Sequence, residues 1–167
     1  STAAVYGNAE VSPVAETAQL APTNPYGASK LLCEKVLRYT ADNAGFHVVA
    51  FRYFNAAGGE PSLGIRSTHQ SHLIPIVLQA AVGERPHVTV HGTDYQTHDG
   101  TCVRDYVHVV DIARAHVLAL GRFVVSGPAR TGKQFEVYNI GTGRGSSVHE
   151  VIAEASEVTG RMVPMEV

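Results

Sequence analysis

The chain has 167 residues, the length of one ordinary domain, and its 44% apolar and 17% charged residues describe a protein with a core rather than a disordered segment. A formal net charge of −2, with 13 Lys and Arg against 15 Asp and Glu, leaves no electrostatic footprint for nucleic acid or an anionic membrane, so small molecules or protein are the expected partners. Two cysteines, Cys33 and Cys102, without CxxC spacing, argue against a disulfide framework or structural zinc and suit a cytoplasmic setting, and no stretch reads as a signal peptide or membrane span.

In chain order, Ser1 to Tyr6 reads as the end of a buried strand closed by Gly7-Asn8, and Glu10 to Thr23, rich in Pro, Ala and Thr, reads as a surface loop. With no initiator methionine at one end and an extended apolar run at the other, both ends are expected to be truncations. Thr23, Asn24 and Pro25 then start a helix, since a cap residue followed by proline suits its first turn. Leu31, Leu32, Val36 and Leu37 carry the helix to about Asn43, before Gly45. His47 to Phe54 is a near-continuous apolar and aromatic run, as in a parallel strand covered on both faces, and the three elements make a βαβ unit.

Asn55 to Gln70 turns polar and glycine-rich, suggesting a functional loop or the crossing into a second lobe. A helix is predicted from about His72 to Val82, then a strand at Val88 to His91, a polar loop over Gly92 to Val103, and the run Arg104 to Val109. Asp111 suits the start of a helix reaching about Leu120. A Gly/Pro linker at Ser126 to Gly132, a strand at Phe135 to Ile140, a glycine loop at Gly141 to Gly145 and a helix from Val148 to Val158, ended by Gly160, complete the pattern.

Four groups of residues bear on chemistry. Tyr26 falls in the first turn of its helix and Lys30 four residues on, so phenol and ammonium share a face. A phenol ionises near pH 10 in water, but a neighbouring ammonium and the positive end of a helix both favour phenolate, which makes the pair a possible proton-transfer device; many helices carry this spacing by chance. Gly141-Thr142-Gly143-Arg144-Gly145, with Glu166 downstream, mimics a dinucleotide fingerprint, but its third glycine comes one residue early and little chain follows it, so a tight strand-to-helix turn is the favoured reading. His69 and His72 have i,i+3 spacing, but no HExxH or carboxylate set joins them, so no metal is expected; no G-x-S-x-G elbow supports a serine hydrolase. Arg104 could clamp a phosphate or could pair with Asp105 or Asp111.

Several runs together are more specific than any of these. Thr2 with Ala3-Ala4-Val5-Tyr6-Gly7, then Pro25-Tyr26-Gly27-Ala28-Ser29-Lys30, Arg52-Tyr53-Phe54-Asn55, Asp99-Gly100-Thr101-Cys102-Val103-Arg104-Asp105-Tyr106-Val107-His108-Val109 and Tyr138-Asn139-Ile140-Gly141 follow one another along the whole chain. In that order they resemble the UDP-glucose 4-epimerases, a family of extended short-chain dehydrogenases/reductases.

The resemblance implies an α/β fold, the C-terminal part of a Rossmann-type NAD-binding domain plus part of a smaller α/β substrate-binding lobe. Residues 1–55 would close the NAD-binding domain, and residues 56–167 would be mostly nucleotide-sugar-binding lobe with some chain returning to the first. It also implies NAD as cofactor, oxidation at C4 of a UDP-hexose, rotation of the 4-keto sugar and reduction on its opposite face. Tyr26 would be the base and then the acid, Lys30 would tune it and bond the nicotinamide ribose, Thr2 would hydrogen-bond the reacting hydroxyl, and Phe54 would approach the nicotinamide. Asn55, Arg104 and the amide of Leu73 would hold the diphosphate, and Thr89, Val90 and His91 would line the uridine site. His72 stands where asparagine is frequent and His91 where an aromatic ring is frequent. The Gly141 loop belongs by this resemblance to the substrate lobe, and the glycine-rich NAD loop would precede Ser1.

A full-length homodimer in the cytoplasm, working in galactose metabolism, is implied, and the fragment alone is expected neither to hold NAD firmly nor to turn over substrate. The alternatives are a UDP-pentose 4-epimerase, another extended dehydrogenase acting on nucleotide sugars, or a non-catalytic nucleotide-sugar-binding protein. A 4,6-dehydratase is disfavoured because Ala3 and Ala4, not an acidic pair, follow Thr2.

Overall fold

Asn24 and Pro25 open the first α-helix, α1, Pro25–Ala44, as the sequence predicts: the Asn24 side chain accepts from Gly27 N, and Gly45 closes the helix in the left-handed region at φ 73°. The computed structural model describes residues 1–9, 11–60, 62, 71–126 and 134–167, with backbone alone at 123–126. After α1 come β1, Val48–Tyr53, β2, Asn55–Ala57, α2, Leu73–Ala81, and β3, Val88–Thr89. Then follow β4, Val103–His108, α3, Val109–Ser126, β5, Phe135–Ile140, β6, Gly145–Ser147, α4, Val148–Thr159, and β7, Met165–Glu166. The elements form two compact units, one of residues 1–58 and 106–144, the other of residues 59–105 and 145–167.

In the first unit β1 runs parallel to β5 in unbroken register from Val48 opposite Phe135 to Tyr53 opposite Ile140. Ala41 of α1 packs on Ala50 and Phe135, with Val48 and Val137 around them, so the apolar face of the helix covers the sheet. β2 lies parallel to the second half of β4, Asn55 opposite Tyr106 and Ala57 opposite His108. The strand expected at Ser1 to Tyr6 shrinks to a single parallel bridge between Thr2 and Tyr53, followed by a 3-10 turn over Ala3–Tyr6. Thr2 causes the change, because its hydroxyl accepts from Ala4 N and so caps the turn, and Gly7 ends the turn at φ 64°. A Cβ at Gly7 would fall 1.9 Å from the Ala21 carbonyl oxygen, so only glycine fits there.

In the second unit α2 and α4 enclose a core of Val77, Ala80, Ala81, Val88, Val90, Ile152 and Val163. β3 pairs in parallel with β7, and the first half of β4 pairs antiparallel with β6, Val103 opposite Ser147 and Arg104 opposite Ser146. Ser147 and Glu150 form a reciprocal capping box at the start of α4, and Gly160 ends that helix as expected.

α3 is longer than the Asp111-to-Leu120 helix the sequence suggests, since Val109 and Val110 already join it and the helix runs on through Gly121 to Ser126. The Gly/Pro linker beyond Ser126 and most of the polar stretch from Pro61 to Gln70, His69 included, lie outside the described residues. Among the described residues no helix is long and apolar enough to cross a membrane, and no group of three or more side chains could hold a metal ion.

Candidate active site

Proline and the Asn24 cap fix where α1 begins, and that start sets Tyr26 and Lys30 one turn apart on the helix. The Lys30 ammonium lies 5.5 Å from the centroid of the Tyr26 ring. Tyr26 is 58% exposed, Lys30 is half-buried, and among the described residues no carboxylate lies within ion-pair distance of Lys30. A cation without a partner beside an accessible phenol is a poor structural element and a usable chemical one, for a structural lysine would be paired or fully solvated.

Thr2 reaches the same helix end through the turn it caps. Gly27, the residue after Tyr26, packs so tightly against this turn that a Cβ there would lie 2.6 Å from the Ala4 carbonyl oxygen. The close approach brings the segment starting at Thr2 onto the first turn of α1, and it explains the glycine between tyrosine and Ala28. Thr2 Oγ1 accepts from Ala4 N at 3.2 Å, which leaves its own O–H to donate elsewhere. Phe54 follows β1 directly, its N–H donating to Ile140 O at 3.0 Å, and Asn55 opens β2. Thus Thr2, Tyr26, Lys30, Phe54 and Asn55 all sit in the first unit.

The remaining candidates belong to the second unit. Leu73 is the first residue of α2, where backbone N–H groups have no helical acceptor. His72 precedes it with an extended backbone, φ −91° and ψ 144°, and no side-chain cap bond. It therefore occupies no helical face, and the i,i+3 histidine spacing loses its meaning. Thr89 pairs with Glu166; Val90 buries its side chain and donates its N–H to Glu166 O at 2.7 Å; His91 is exposed. Arg104 is exposed on β4 and donates from Nη1 to its neighbour's carbonyl, Val103 O, at 3.0 Å, while Asp111, one of its possible partners, pairs instead with Arg114 at 2.9 Å.

Two features escape the sequence reading. Arg52 and Glu34 form a buried ion pair, 2.7 Å from Nη2 to Oε2, with Arg52 and Glu34 only 2% and 4% exposed. In the second unit Asp99 accepts from Thr101 N, Thr101 Oγ1 and Ser147 Oγ, and these bonds, Ser147 first, hold its carboxyl down at about 2. Thr101 Oγ1 in turn accepts from Val148 N, and Thr97 Oγ1 donates to Thr101 O. The clamp binds the Asp99-to-Thr101 turn to the first residue of α4, five residues ahead of Arg104. An arginine inside an apolar run and an aspartate before glycine were the available signals, and each reads as an ordinary strand or turn residue by itself.

A cleft of about 490 Å3 in the first unit, between α1, α3 and the edge of β1, is lined by Lys30, Leu37, Phe51, Tyr53 and Leu120 among others. Its walls are mostly apolar, and Tyr26 is not among them; the cleft follows the edge of β1 that Thr2 bridges.

Residues 1–141 match the model of the NAD dependent epimerase/dehydratase family. A protein of Halalkalibacterium halodurans named UDP-glucose 4-epimerase is 46% identical across 100% of this chain and 49% of its own length. One of the same name from Azospirillum brasilense is 48% identical over 98% of this chain and 46% of its own. The crystal structure of UDP-glucose-4-epimerase from Stenotrophomonas maltophila, with bound NAD and formylated UDP-arabinopyranose, superposes with a TM-score of 0.88 at 42% identity, covering 99% of this chain and 49% of that one. The chain thus spans about half the length of the relatives it matches.

Proposed function

The chain belongs to the NAD dependent epimerase/dehydratase family, and from that premise we propose that it forms about half of a UDP-glucose 4-epimerase, bearing the proton-transfer pair and the nucleotide-sugar contacts. The observation that carries this reading is the Lys30 ammonium beside the Tyr26 phenol, unpaired among the described residues, on a helix whose first turn is pinned to the segment of Thr2. When bound, NAD supplies acceptance and return of a hydride at C4 of the sugar. Tyr26 takes the C4 hydroxyl proton and gives it back, Lys30 favours the phenolate and donates to the ribose hydroxyls of the cofactor, and Thr2 donates its free O–H to the C4 oxygen. The residues fit the cofactor in that respect: Lys30 has donors to spare, and no carboxylate among the described residues competes for them. Phe54 is proposed to approach the nicotinamide.

Asn55, Arg104 and the free amide of Leu73 are the proposed diphosphate contacts, with His72 beside Leu73, and an arginine's fork suits such oxygens. Thr89, the Val90 carbonyl and His91 are proposed for the uridine. Ala3 and Ala4 after Thr2 leave no acid to expel water from the sugar, which supports epimerisation over dehydration. A UDP-pentose substrate is the second reading, favoured by the arabinose nucleotide bound in the Stenotrophomonas neighbour.

The complete protein is proposed to be a cytoplasmic homodimer serving galactose metabolism. Leu32, Val36 and Tyr39, spaced i, i+4 and i+7 on α1 and 61 to 71% exposed, support a helix face waiting for a partner. The chain by itself is proposed to be inactive, in keeping with the open apolar edge of β1. An NAD titration of the isolated chain tests this: no binding at micromolar concentration is expected, and micromolar affinity refutes it. Assaying the complete enzyme with UDP-galactose and UDP-arabinose separates the two substrates, and negligible turnover of UDP-galactose defeats the first.

A further inference from the structure

The buried Glu34–Arg52 pair joins three segments in the first unit, and all three carry proposed site residues. Glu34 continues the face of Tyr26 and Lys30, since 26, 30 and 34 are successive i+4 positions on α1. Arg52 lies on β1, two residues before Phe54 and three before Asn55. Glu34 Oε1 accepts from Arg52 Nε at 3.0 Å and from Ser1 Oγ at 2.5 Å, and Ser1 is the neighbour of Thr2; Oε2 accepts from Arg52 Nη2 at 2.7 Å. Nη1 of Arg52 donates to Tyr6 Oη at 2.8 Å and to Glu16 O at 3.1 Å, so the guanidinium also holds the end of the 3-10 turn and the loop before α1. Tyr6 Oη donates onward to Asn139 Oδ1 at 2.6 Å, next to the residue paired with Tyr53.

We propose that Glu34 and Arg52 are a positioning pair, whose bidentate fork sets the register of α1 against β1 and of Ser1-Thr2 against both, and so aims Tyr26 and Lys30 at Thr2. The proposal rests on the epimerase reading above. Burying two charges is costly, and apolar side chains of similar volume usually hold a fold as well or better, so stability alone does not account for the pair. What apolar packing lacks is direction: a fork-to-carboxylate contact fixes position along the helix, while methylenes slide. Misplacing reacting groups by about 1 Å costs on the order of 100-fold in rate, which gives the register chemical weight.

The test is the double substitution Glu34→Met with Arg52→Met, which removes both charges and keeps volume, alongside Arg52→Lys, which keeps the charge and loses the fork. In the complete enzyme the double variant is expected to melt at or above the wild-type temperature, yet to lose at least about 10-fold in kcat with KM within about 3-fold. Arg52→Lys should fall between. Amide exchange gives a readout that needs no turnover: protection at Ala28 to Leu31 should drop about 10-fold in the double variant while protection in α4 stays unchanged. Wild-type kcat in a folded double variant, or unchanged exchange at the start of α1, overturns the proposal. Failure of both variants to fold would make the pair a stability element and equally refutes it. An inactive wild-type enzyme refutes the epimerase reading instead, and the exchange measurement then still decides the positioning role.

Discussion

The ammonium of Lys30 lies 5.5 Å from the centre of the Tyr26 ring, one turn along α1, with no carboxylate among the described residues to neutralise it. If this cation serves to ionise the phenol and to grip the cofactor, its replacement should harm both jobs. In the complete enzyme Lys30→Met is expected to lower kcat about 100-fold or more and to weaken NAD retention, with Lys30→Arg keeping part of both. Steady-state kinetics and the NAD content of the purified variants measure this; unchanged values for Lys30→Met contradict it.

Gly27 gives a prediction of opposite sign to helix propensity. Alanine inside a helix is favoured over glycine by about 1 kcal/mol. Here the new Cβ would lie 2.6 Å from Ala4 O and 3.0 Å from Pro22 Cβ, and a backbone oxygen cannot move away cheaply. Gly27→Ala is therefore expected to destabilise by about 1 to 3 kcal/mol, read as a lower urea midpoint at constant slope. A stabilised variant would show that α1 does not rest on the turn after Thr2.

Asp99 predicts a pH dependence in the second unit. Its carboxyl is held at about 2 instead of 3.8, chiefly by the Ser147 hydroxyl and then by Thr101, with His98 assisting. Since the folded state prefers the carboxylate, the stability it contributes is complete above 3.8 and is lost as pH falls towards 2. Urea midpoints at pH 6 and pH 3 should differ more in the wild-type chain than in Asp99→Asn, which has no proton to gain. Equal acid sensitivity would mean that the clamp is not formed.

Much of the scaffold was legible because its punctuation is local. Asn24-Pro25, Gly45 and Gly160 mark the ends of α1 and α4 through caps that need no tertiary information, and the apolar runs at β1 and β5 announce strands, which pair in parallel. The 3-10 turn at Ala3 was not legible, because Thr-Ala-Ala-Val-Tyr suits a strand and only the Thr2 cap and the packing of Gly7 on Ala21 decide otherwise. Tyr26 and Lys30 could be paired from spacing alone. The Glu34–Arg52 bond could not, since it joins residues 18 apart through the docking of α1 on β1, and periodicity carries no such information. The Asp99 clamp, which spans 48 residues to Ser147, was hidden for the same reason.

Tyr26 is proposed to carry the C4 proton of a UDP-sugar. This role is tested most directly by following the conversion of UDP-galactose to UDP-glucose by the complete enzyme and by its Tyr26→Phe variant, with NAD content and folding checked in both. Turnover by the wild type is expected, with a loss of about 100- to 10,000-fold in kcat for Tyr26→Phe and KM little changed. Wild-type turnover that survives the loss of the phenol hydroxyl would contradict it.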